Sequence, residues 1–196
     1  MKKILILLTM ISLPSYSDVS ANVSFASDYI WRGMTQSDGP AIQGGFDYAA
    51  ENGFYAGIWG SNVNFNDGAG SELDYYFGYG FTAGSIGVDI GYLAYDYPKN
   101  ETSLDFEEIY VGLSMGDLGL LFAMGQDGAP DYTEVSYGIG AVSLSYGQYD
   151  DYGDNLGISY GFGCGSYDCA LTYSDFSDDG YDGDEDALVF SVSASF

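Results

Sequence analysis

The 196-residue chain carries 29 acidic residues against four basic ones and has no histidine, so its formal charge is −25 at neutral pH. Such a charge repels nucleic acids and anionic lipid while it attracts cations, and a nucleic-acid-binding function is excluded. The lack of histidine excludes Ser-His catalytic triads and histidine metal sites. Without histidine, acid–base catalysis would depend on carboxylates, and these are dispersed along the chain with no spacing that indicates a catalytic pair. We therefore expect a protein that is not an enzyme and needs no cofactor.

The start of the chain has the features of a secretory signal peptide. Two lysines precede the apolar run ILILLTMISL, and the small residues Ser15 and Ser17 precede Asp18. A charged start, a short apolar run and a small-x-small exit predict removal of residues 1–17. Ten apolar residues are too few for a membrane-spanning helix, and a buried N-terminal helix is the alternative. The mature chain would be one domain of residues 18–196.

Beyond residue 17, apolar residues recur at every second position, which is the period of a strand with one apolar and one polar face. At the C-terminus, for example, Leu188, Phe190 and Val192 alternate with Val189 and small residues. The pattern predicts twelve strands, at residues 18–33, 40–49, 53–63, 72–83, 86–97, 105–115, 118–126, 132–139, 142–149, 155–163, 167–175 and 186–196. Most are about 8 to 12 residues long, which suits a strand tilted across a bilayer.

The connections between the predicted strands alternate in length. Short turns such as Gly84-Ser85 and Gly116-Asp117 follow the even strands, whereas mostly longer polar loops such as PKNETSL and DFSDDGYDGDED follow the odd ones. Tight turns at one end and longer loops at the other are typical of a transmembrane antiparallel up-and-down β-barrel. A soluble β-sandwich would produce the same alternation of faces, but the even strand count and the alternating connections favour the barrel.

Aromatic residues and cysteines fit the same interpretation. The 20 tyrosines cluster towards predicted strand ends, as interfacial aromatic belts require, and we assign Tyr29 and Trp31 to the outer belt. The last residue, Phe196, resembles the terminal aromatic that the outer-membrane barrel assembly machinery recognises. Cys164 and Cys169 are expected to form a disulfide in the oxidising periplasm, because two thiolates fill only half of a tetrahedral zinc site.

Two stretches near the N-terminus resemble a known family. They are SDYIWRGMTQSDGPAIQGGFDY, from Ser27 to Tyr48, and GFYAGIWGSNV, from Gly53 to Val63. Both resemble the TorF family of candidate porins, and the resemblance is strongest over roughly residues 20–80. It implies a barrel in the outer membrane of a Gram-negative bacterium and a porin role, but it implies no particular substrate.

The sole arginine, Arg32, falls on the polar face of the first predicted strand and is expected to point into the barrel lumen. The same parity places further carboxylates inside, namely Asp28, Asp47, Asp74, Asp89, Glu108, Glu134 and Asp168. Three of them, Asp74, Glu108 and Glu134, lie at the start of predicted strands near the extracellular end, the same level at which Arg32 ends the first strand. We therefore expect Arg32 to face one or more of them, since a buried arginine needs a partner. Arg32 would then either constrict the lumen for transport or form a structural salt bridge that fixes the first loop.

The last long loop carries an acidic pattern close to that of a calcium-binding loop. Asp175, Ser177 and Asp179 occupy the first, third and fifth positions. Gly180 follows at the sixth position, and Asp186 stands at the twelfth. Aspartate replaces the usual bidentate glutamate, and strands replace the flanking helices. The alternatives are a solvated acidic loop, or acids that bridge divalent cations to lipopolysaccharide phosphates.

Together these patterns predict passive diffusion of small solutes through a narrow lumen that favours cations. Twelve strands lie between the eight that side chains just fill and the sixteen or more that enclose a wide channel. Many lumen positions are Gly, Ser or Ala, which favours a hollow interior, and occlusion by a folded-in loop or by polar residues is the alternative. The competing function is a non-conducting structural or surface-interaction barrel whose acidic loops bind partners or divalent cations.

Overall fold

The computed structural model describes residues 18–65, 68–99, 104–180 and 183–196, and the predicted signal peptide lies outside this range. Among these residues no helix is long and apolar enough to cross a membrane. In chain order the strands are β1 (Asp18–Ala26), β2 (Ile30–Trp31), β3 (Met34–Thr35), β4 (Ala41–Ala49), β5 (Phe54–Asn62), β6 (Ser71–Ala83), β7 (Ile86–Asp96), β8 (Phe106–Met115), β9 (Leu118–Gly125), β10 (Tyr132–Ile139), β11 (Val142–Tyr149), β12 (Gly153–Cys164), β13 (Tyr167–Asp178) and β14 (Glu185–Ser195).

Twelve of these strands close into one antiparallel barrel, which confirms the predicted fold class. From β4 to β14 each strand pairs with its neighbours in sequence, and β1 completes the ring by pairing with both β4 and β14. Two-residue turns join β6 to β7, β8 to β9, β10 to β11 and β12 to β13 at one end of the barrel, which we call the short-turn end. The opposite end, with mostly longer connections, is the long-loop end.

Glycine makes the four two-residue turns possible. The first residue of each turn has a positive φ and is Gly84, Gly116, Gly140 or Gly165. A positive φ at the first central position suits a type II′ turn, whose twist matches that of the flanking strands. Next to the last of these turns, Cys164 and Cys169 are joined with their Cα atoms 5.9 Å apart, so the predicted disulfide is confirmed.

The two faces of the barrel wall have opposite chemistry, as the alternation predicts. Large apolar side chains such as Phe46, Ile58 and Phe190 point outward and are exposed along the outside of the sheet, and Phe196 is 80% exposed. Carboxylates, serines, glycines and tyrosines occupy the inward positions. A monomeric soluble protein rarely exposes so continuous an apolar surface.

The first predicted strand is too long, because the chain leaves the barrel wall after Ala26. Residues 27–40, which we call the inserted segment, turn inward at the long-loop end, and β2 and β3 form a two-stranded hairpin within it. The assignment of Tyr29 and Trp31 to an outer aromatic belt is therefore wrong. Tyr29 is buried, and Trp31 packs edge-on against interior aromatic rings. Parity along β1 gives the wrong face for these two residues because it does not extend past the break in the strand.

Glycine on the inward face does not simply leave the barrel hollow. At four such positions an added Cβ would overlap a tyrosine ring from the neighbouring strand; the pairs are Gly57 with Tyr76, Gly78 with Tyr55, Gly91 with Tyr110 and Gly147 with Tyr132. In each pair the atoms nearest to the added Cβ are Cζ and the hydroxyl oxygen of the tyrosine, so the end of the ring lies against the glycine. These glycines therefore make room for tyrosines, and the expectation that they widen the lumen is wrong at these positions.

Candidate functional site

The tip of the inserted hairpin carries Arg32 into a two-point contact with a carboxylate of the barrel wall. Nη1 and Nη2 of Arg32 donate to Oε1 and Oε2 of Glu108, each at 2.7 Å. The side chains of Arg32 and Glu108 are only 8% and 2% exposed. The hydroxyl of Tyr95 donates a third, longer bond of 3.3 Å to Glu108. Bidentate charge-assisted pairs of this kind are among the strongest polar contacts in proteins.

Aromatic rings surround the guanidinium of Arg32. Its Cζ atom lies 4.1 Å from the ring centroid of Tyr132, 4.3 Å from that of Trp31 and 4.9 Å from that of Tyr149. Aromatic faces attract cations at such distances. We call Glu108, Trp31, Tyr132 and Tyr149 the guanidinium cage. Burial by itself lowers the pKa of Arg32. The surrounding phenols, such as that of Tyr95, and the Glu108 carboxylate raise this pKa by more than burial lowers it, so Arg32 stays charged.

The turn at the tip explains why glycine follows the arginine. Arg32 and Gly33 both have positive φ, of 48° and 93°, which is the requirement of a type I′ hairpin. A Cβ at residue 33 would lie 2.8 Å from Cβ of Asn155 and 2.9 Å from Cβ of Phe176. For Arg32 the left-handed conformation costs about 1–2 kcal/mol, and the contacts of its guanidinium offset that cost.

Polar contacts hold the rest of the inserted segment in place. The hydroxyl of Thr35 donates to Asp28 at 2.9 Å, and the backbone N–H of Tyr29 donates to Oγ of Ser37 at 2.9 Å. The backbone N–H of Thr35 also donates to the Glu185 carboxylate of β14 at 2.8 Å. Asp28, which parity places in the lumen, therefore acts within the inserted segment as an acceptor that closes it on itself.

Two further carboxylates are buried beside the inserted segment on β6. Glu72 is 1% exposed and Asp74 is 8% exposed. The Tyr29 hydroxyl donates to Oε1 of Glu72 at 2.8 Å. Burial, and then Glu72, raise the pKa of Tyr29, which keeps this phenol a neutral donor. Oε2 of Glu72 and Oδ1 of Asp74 are buried and have no hydrogen-bond partner among the described residues.

The other carboxylates predicted to line the lumen lie at different levels of the barrel. Asp47 contacts the Tyr76 hydroxyl, and Asp89 accepts a 2.6 Å hydrogen bond from the Tyr55 hydroxyl. Both contacts lie between the inserted segment and the short-turn end. Glu134 accepts a 2.9 Å bond from the hydroxyl of Tyr132 in the cage, while Asp168 is exposed at the short-turn end. Of the carboxylates named from the sequence, Glu108 is the one that pairs directly with Arg32.

The described residues of the acidic pattern near the C-terminus lie mainly in strands β13 and β14. Asp175 and Ser177 lie within β13, and Asp175 stands directly opposite Asp186 of β14. Asp179 follows the end of β13, and residues 181–182 lie outside the described range. The described residues contain no group of three or more acidic, cysteine or histidine side chains that could hold a metal ion. Calcium binding at this loop therefore stays a prediction that the described residues do not support with a set of ligands.

The aromatic part of the site is what reasoning from the sequence missed. Tyr95, Tyr132 and Tyr149 lie on inward positions of β7, β10 and β11, near the strand ends that form the long-loop end. Tyr132 has the same parity as Glu134, so the alternation that identifies inward carboxylates also identifies inward tyrosines. Assigning tyrosines near strand ends to an outer belt conceals this signal.

These features define a closed antiparallel β-barrel with an apolar outside and a polar inside, whose long-loop end is filled by an inserted hairpin. The model of a bacterial protein family of unknown function, Gcw_chp, matches residues 13–147, and the chain belongs to this family. The matched residues include the inserted segment, Arg32, Glu108 and Tyr132. The family description names neither TorF nor a porin activity, and no curated protein matches the chain.

Proposed function

We propose that this protein is an outer-membrane barrel of a Gram-negative bacterium that lets small solutes, with a preference for cations, diffuse passively through a narrow interior. The observation that carries the proposal is the opposite chemistry of the two faces of a closed sheet. A barrel leaves no unpaired strand edge, and an outward apolar band with an inward polar face is what a lipid bilayer requires of it. Export to the periplasm, as the signal peptide predicts, and insertion by the barrel assembly machinery are part of the proposal.

The charge of the interior supports a preference for cations. Inward carboxylates occur towards both ends of the barrel, with Glu72 near the long-loop end of β6 and Asp168 near the short-turn end of β13. The single inward base, Arg32, is neutralised by Glu108. Rings of carboxylates in pores favour cations over anions. We propose that solutes cross the barrel past the inserted segment, which sets the narrowest part of the path.

Conductance in a planar bilayer under a potassium chloride gradient tests the proposal. We expect wild-type protein to give small, discrete steps with a cation-selective reversal potential. Arg32→Ala removes the contact that anchors the hairpin tip and should increase the conductance and change the selectivity. Lys99→Ala is the matched control, because it removes the other base of the mature chain from an exposed position. Equal behaviour of the two variants would argue against a constriction at Arg32.

A second function is favoured by the filled interior. The inserted segment occupies the long-loop end, and on its short-turn side the Tyr55 hydroxyl contacts that of Tyr110. A non-conducting barrel that acts as a structural or surface-interaction protein, with lipopolysaccharide or divalent cations at its acidic loops, would have this interior. Inserted protein without conductance, in both the wild type and Arg32→Ala, would favour this second function over the first.

A further inference from the structure

We propose that the guanidinium cage is a binding site for the guanidinium or ammonium group of a small organic dication, and that Arg32 is a tethered occupant which this solute displaces. The inference rests on the proposed function in one respect, since the solute reaches the cage by diffusion into the barrel. It adds to that function a substrate class and the residues that select it.

The cage recognises the charged group of Arg32 and belongs largely to the wall. Two parallel hydrogen bonds from Glu108 match a planar guanidinium, and the faces of Tyr132 and Tyr149 contact the same group. These three residues lie on β8, β10 and β11. Only Trp31 belongs to the inserted segment. When Arg32 is displaced, the carboxylate and the two aromatic faces of the wall stay in place for another cation.

Arg32 occupies the cage from a strained tether. Its φ of 48° is unfavourable for a non-glycine residue. The hairpin that presents it consists of two strands of two residues each, Ile30–Trp31 and Met34–Thr35. A tethered group competes at an effective concentration of about millimolar or more. A solute with a single positive charge therefore has little advantage over Arg32, and displacement requires an additional contact.

Glu72 and Asp74 supply that additional contact. Together with Glu108 they are three buried carboxylates, and the guanidinium of Arg32 pairs with Glu108 alone. One buried oxygen of Glu72 and one of Asp74 have no hydrogen-bond partner among the described residues, and a buried acceptor without a partner is costly. A second ammonium or guanidinium group on the solute supplies hydrogen-bond donors to the oxygens that Arg32 leaves unpaired.

The strand register indicates the spacing of the two charges. Asp74 pairs with Tyr95 of β7 on one side, and Glu108 pairs with Leu93 of the same strand on the other. One strand therefore separates the two residues, and their partners on it are two positions apart. Their Cα atoms are thus separated by about 10 Å across the sheet and about 7 Å along it, since neighbouring strands lie about 4.8 Å apart and a strand rises about 3.4 Å per residue. This spacing suits a diamine or an aminoalkyl guanidine.

Binding is measured on refolded full-length protein in detergent micelles, through tryptophan fluorescence and the midpoint of thermal unfolding. The probes are agmatine, which carries a guanidinium and an ammonium group, and ethylguanidinium, which carries one charge. We expect Arg32→Ala to bind agmatine with half-saturation at about 1 mM. Wild-type protein should bind it at least tenfold more weakly, because Arg32 competes for the cage.

Two matched variants identify the groups that bind. Arg32→Ala/Glu108→Gln should bind both probes at least tenfold more weakly than Arg32→Ala does, because the carboxylate that accepts two hydrogen bonds is gone. Arg32→Ala/Glu72→Gln/Asp74→Asn should bind ethylguanidinium as Arg32→Ala does, while it loses the tighter binding of agmatine. Equal agmatine binding by Arg32→Ala and Arg32→Ala/Glu108→Gln would overturn the site, and agmatine binding no tighter than ethylguanidinium would overturn the dication.

If Arg32→Ala does not refold alone, the refolding yield provides the same test. Agmatine should raise that yield relative to sodium chloride of equal ionic strength, and it should not do so for Arg32→Ala/Glu108→Gln; no rise in yield overturns the proposal. Because micelle binding needs no transport, saturable binding without conductance overturns the porin function and leaves the cage standing. Conductance without saturable binding overturns the proposed binding site and leaves the porin function standing.

Discussion

The two ends of the barrel are built from the same continuous sheet, yet they differ in what fills them. Both clusters of buried apolar residues lie at the long-loop end, the first around Tyr29 and Tyr95 and the second around Tyr132 and Tyr149. At the short-turn end Asp168 is exposed, and a Cβ added at Gly163 would meet no atom within 4 Å. The wall is common to both ends, and the inserted segment makes the difference.

The difference teaches where side-chain packing stabilises this protein. Backbone hydrogen bonds run around the whole closed sheet and stabilise both ends alike. Contacts that depend on particular side chains are concentrated where Arg32 and Trp31 meet the wall. Substitutions at the long-loop end should therefore alter unfolding and the width of the interior, whereas substitutions of similar chemistry at the short-turn end should alter neither strongly.

The largest effect is expected from Glu108→Gln, which leaves the guanidinium of Arg32 buried without a counter-charge. Loss of one partner of a buried ion pair costs about 3–5 kcal/mol of unfolding free energy. Urea unfolding in micelles measures this loss. Asp168→Asn makes the same chemical change at an exposed position and should stay within about 0.5 kcal/mol of wild type. Similar losses in the two variants would contradict the difference between the ends.

An intermediate effect is expected from Gly33→Ala at the hairpin tip. The left-handed φ of 93° and the close approach of Asn155 and Phe176 should together destabilise the protein by about 1–3 kcal/mol. Gly163→Ala is the control, because its extended backbone and open surroundings accept a methyl group. Thermal unfolding of both variants checks the prediction, and a neutral Gly33→Ala would show that the tip is loosely held.

The smallest effect is expected from reduction of the Cys164–Cys169 disulfide. The bond closes a short loop with a sequence separation of 5. By restricting the unfolded chain, so short a loop stabilises the folded protein by about 2 kcal/mol or less. Since the bond lies at the short-turn end, reduction should leave conductance and cation preference unchanged. Cys164→Ser/Cys169→Ser should behave like the reduced protein in both assays; a large change in conductance would place part of the constriction at this end.

Much of the wall could be predicted from local pattern, because each inward or outward position follows from its parity within one strand. Phe190 and Phe196 point outward and Glu108 points inward as alternation requires. Alternation describes a strand only while the strand lasts. It gave the wrong face for Tyr29 and Trp31, because nothing in their spacing reports that the chain leaves the sheet after Ala26.

The site depended on contacts between residues far apart in the chain. Arg32 and Glu108 are 76 positions apart, and parity with strand order sufficed to place both inside at one end. The tyrosines of the cage could not be assigned in this way, because a tyrosine near a strand end suits a lipid interface as well as a packed interior. The phenol can find a partner in either environment, so composition alone does not distinguish them.

The sequence by itself determined the closed twelve-stranded barrel, the chemistry of its two faces and the disulfide, because period, turn glycines and cysteine spacing act over a few residues. The tertiary structure alone decided that residues 27–40 turn inward, that Trp31 and two wall tyrosines enclose Arg32, and that inward glycines are covered by rings. The physical reason is that a side chain's environment depends on which strands close around it, and only the closed sheet brings β8, β10 and β11 around the hairpin tip.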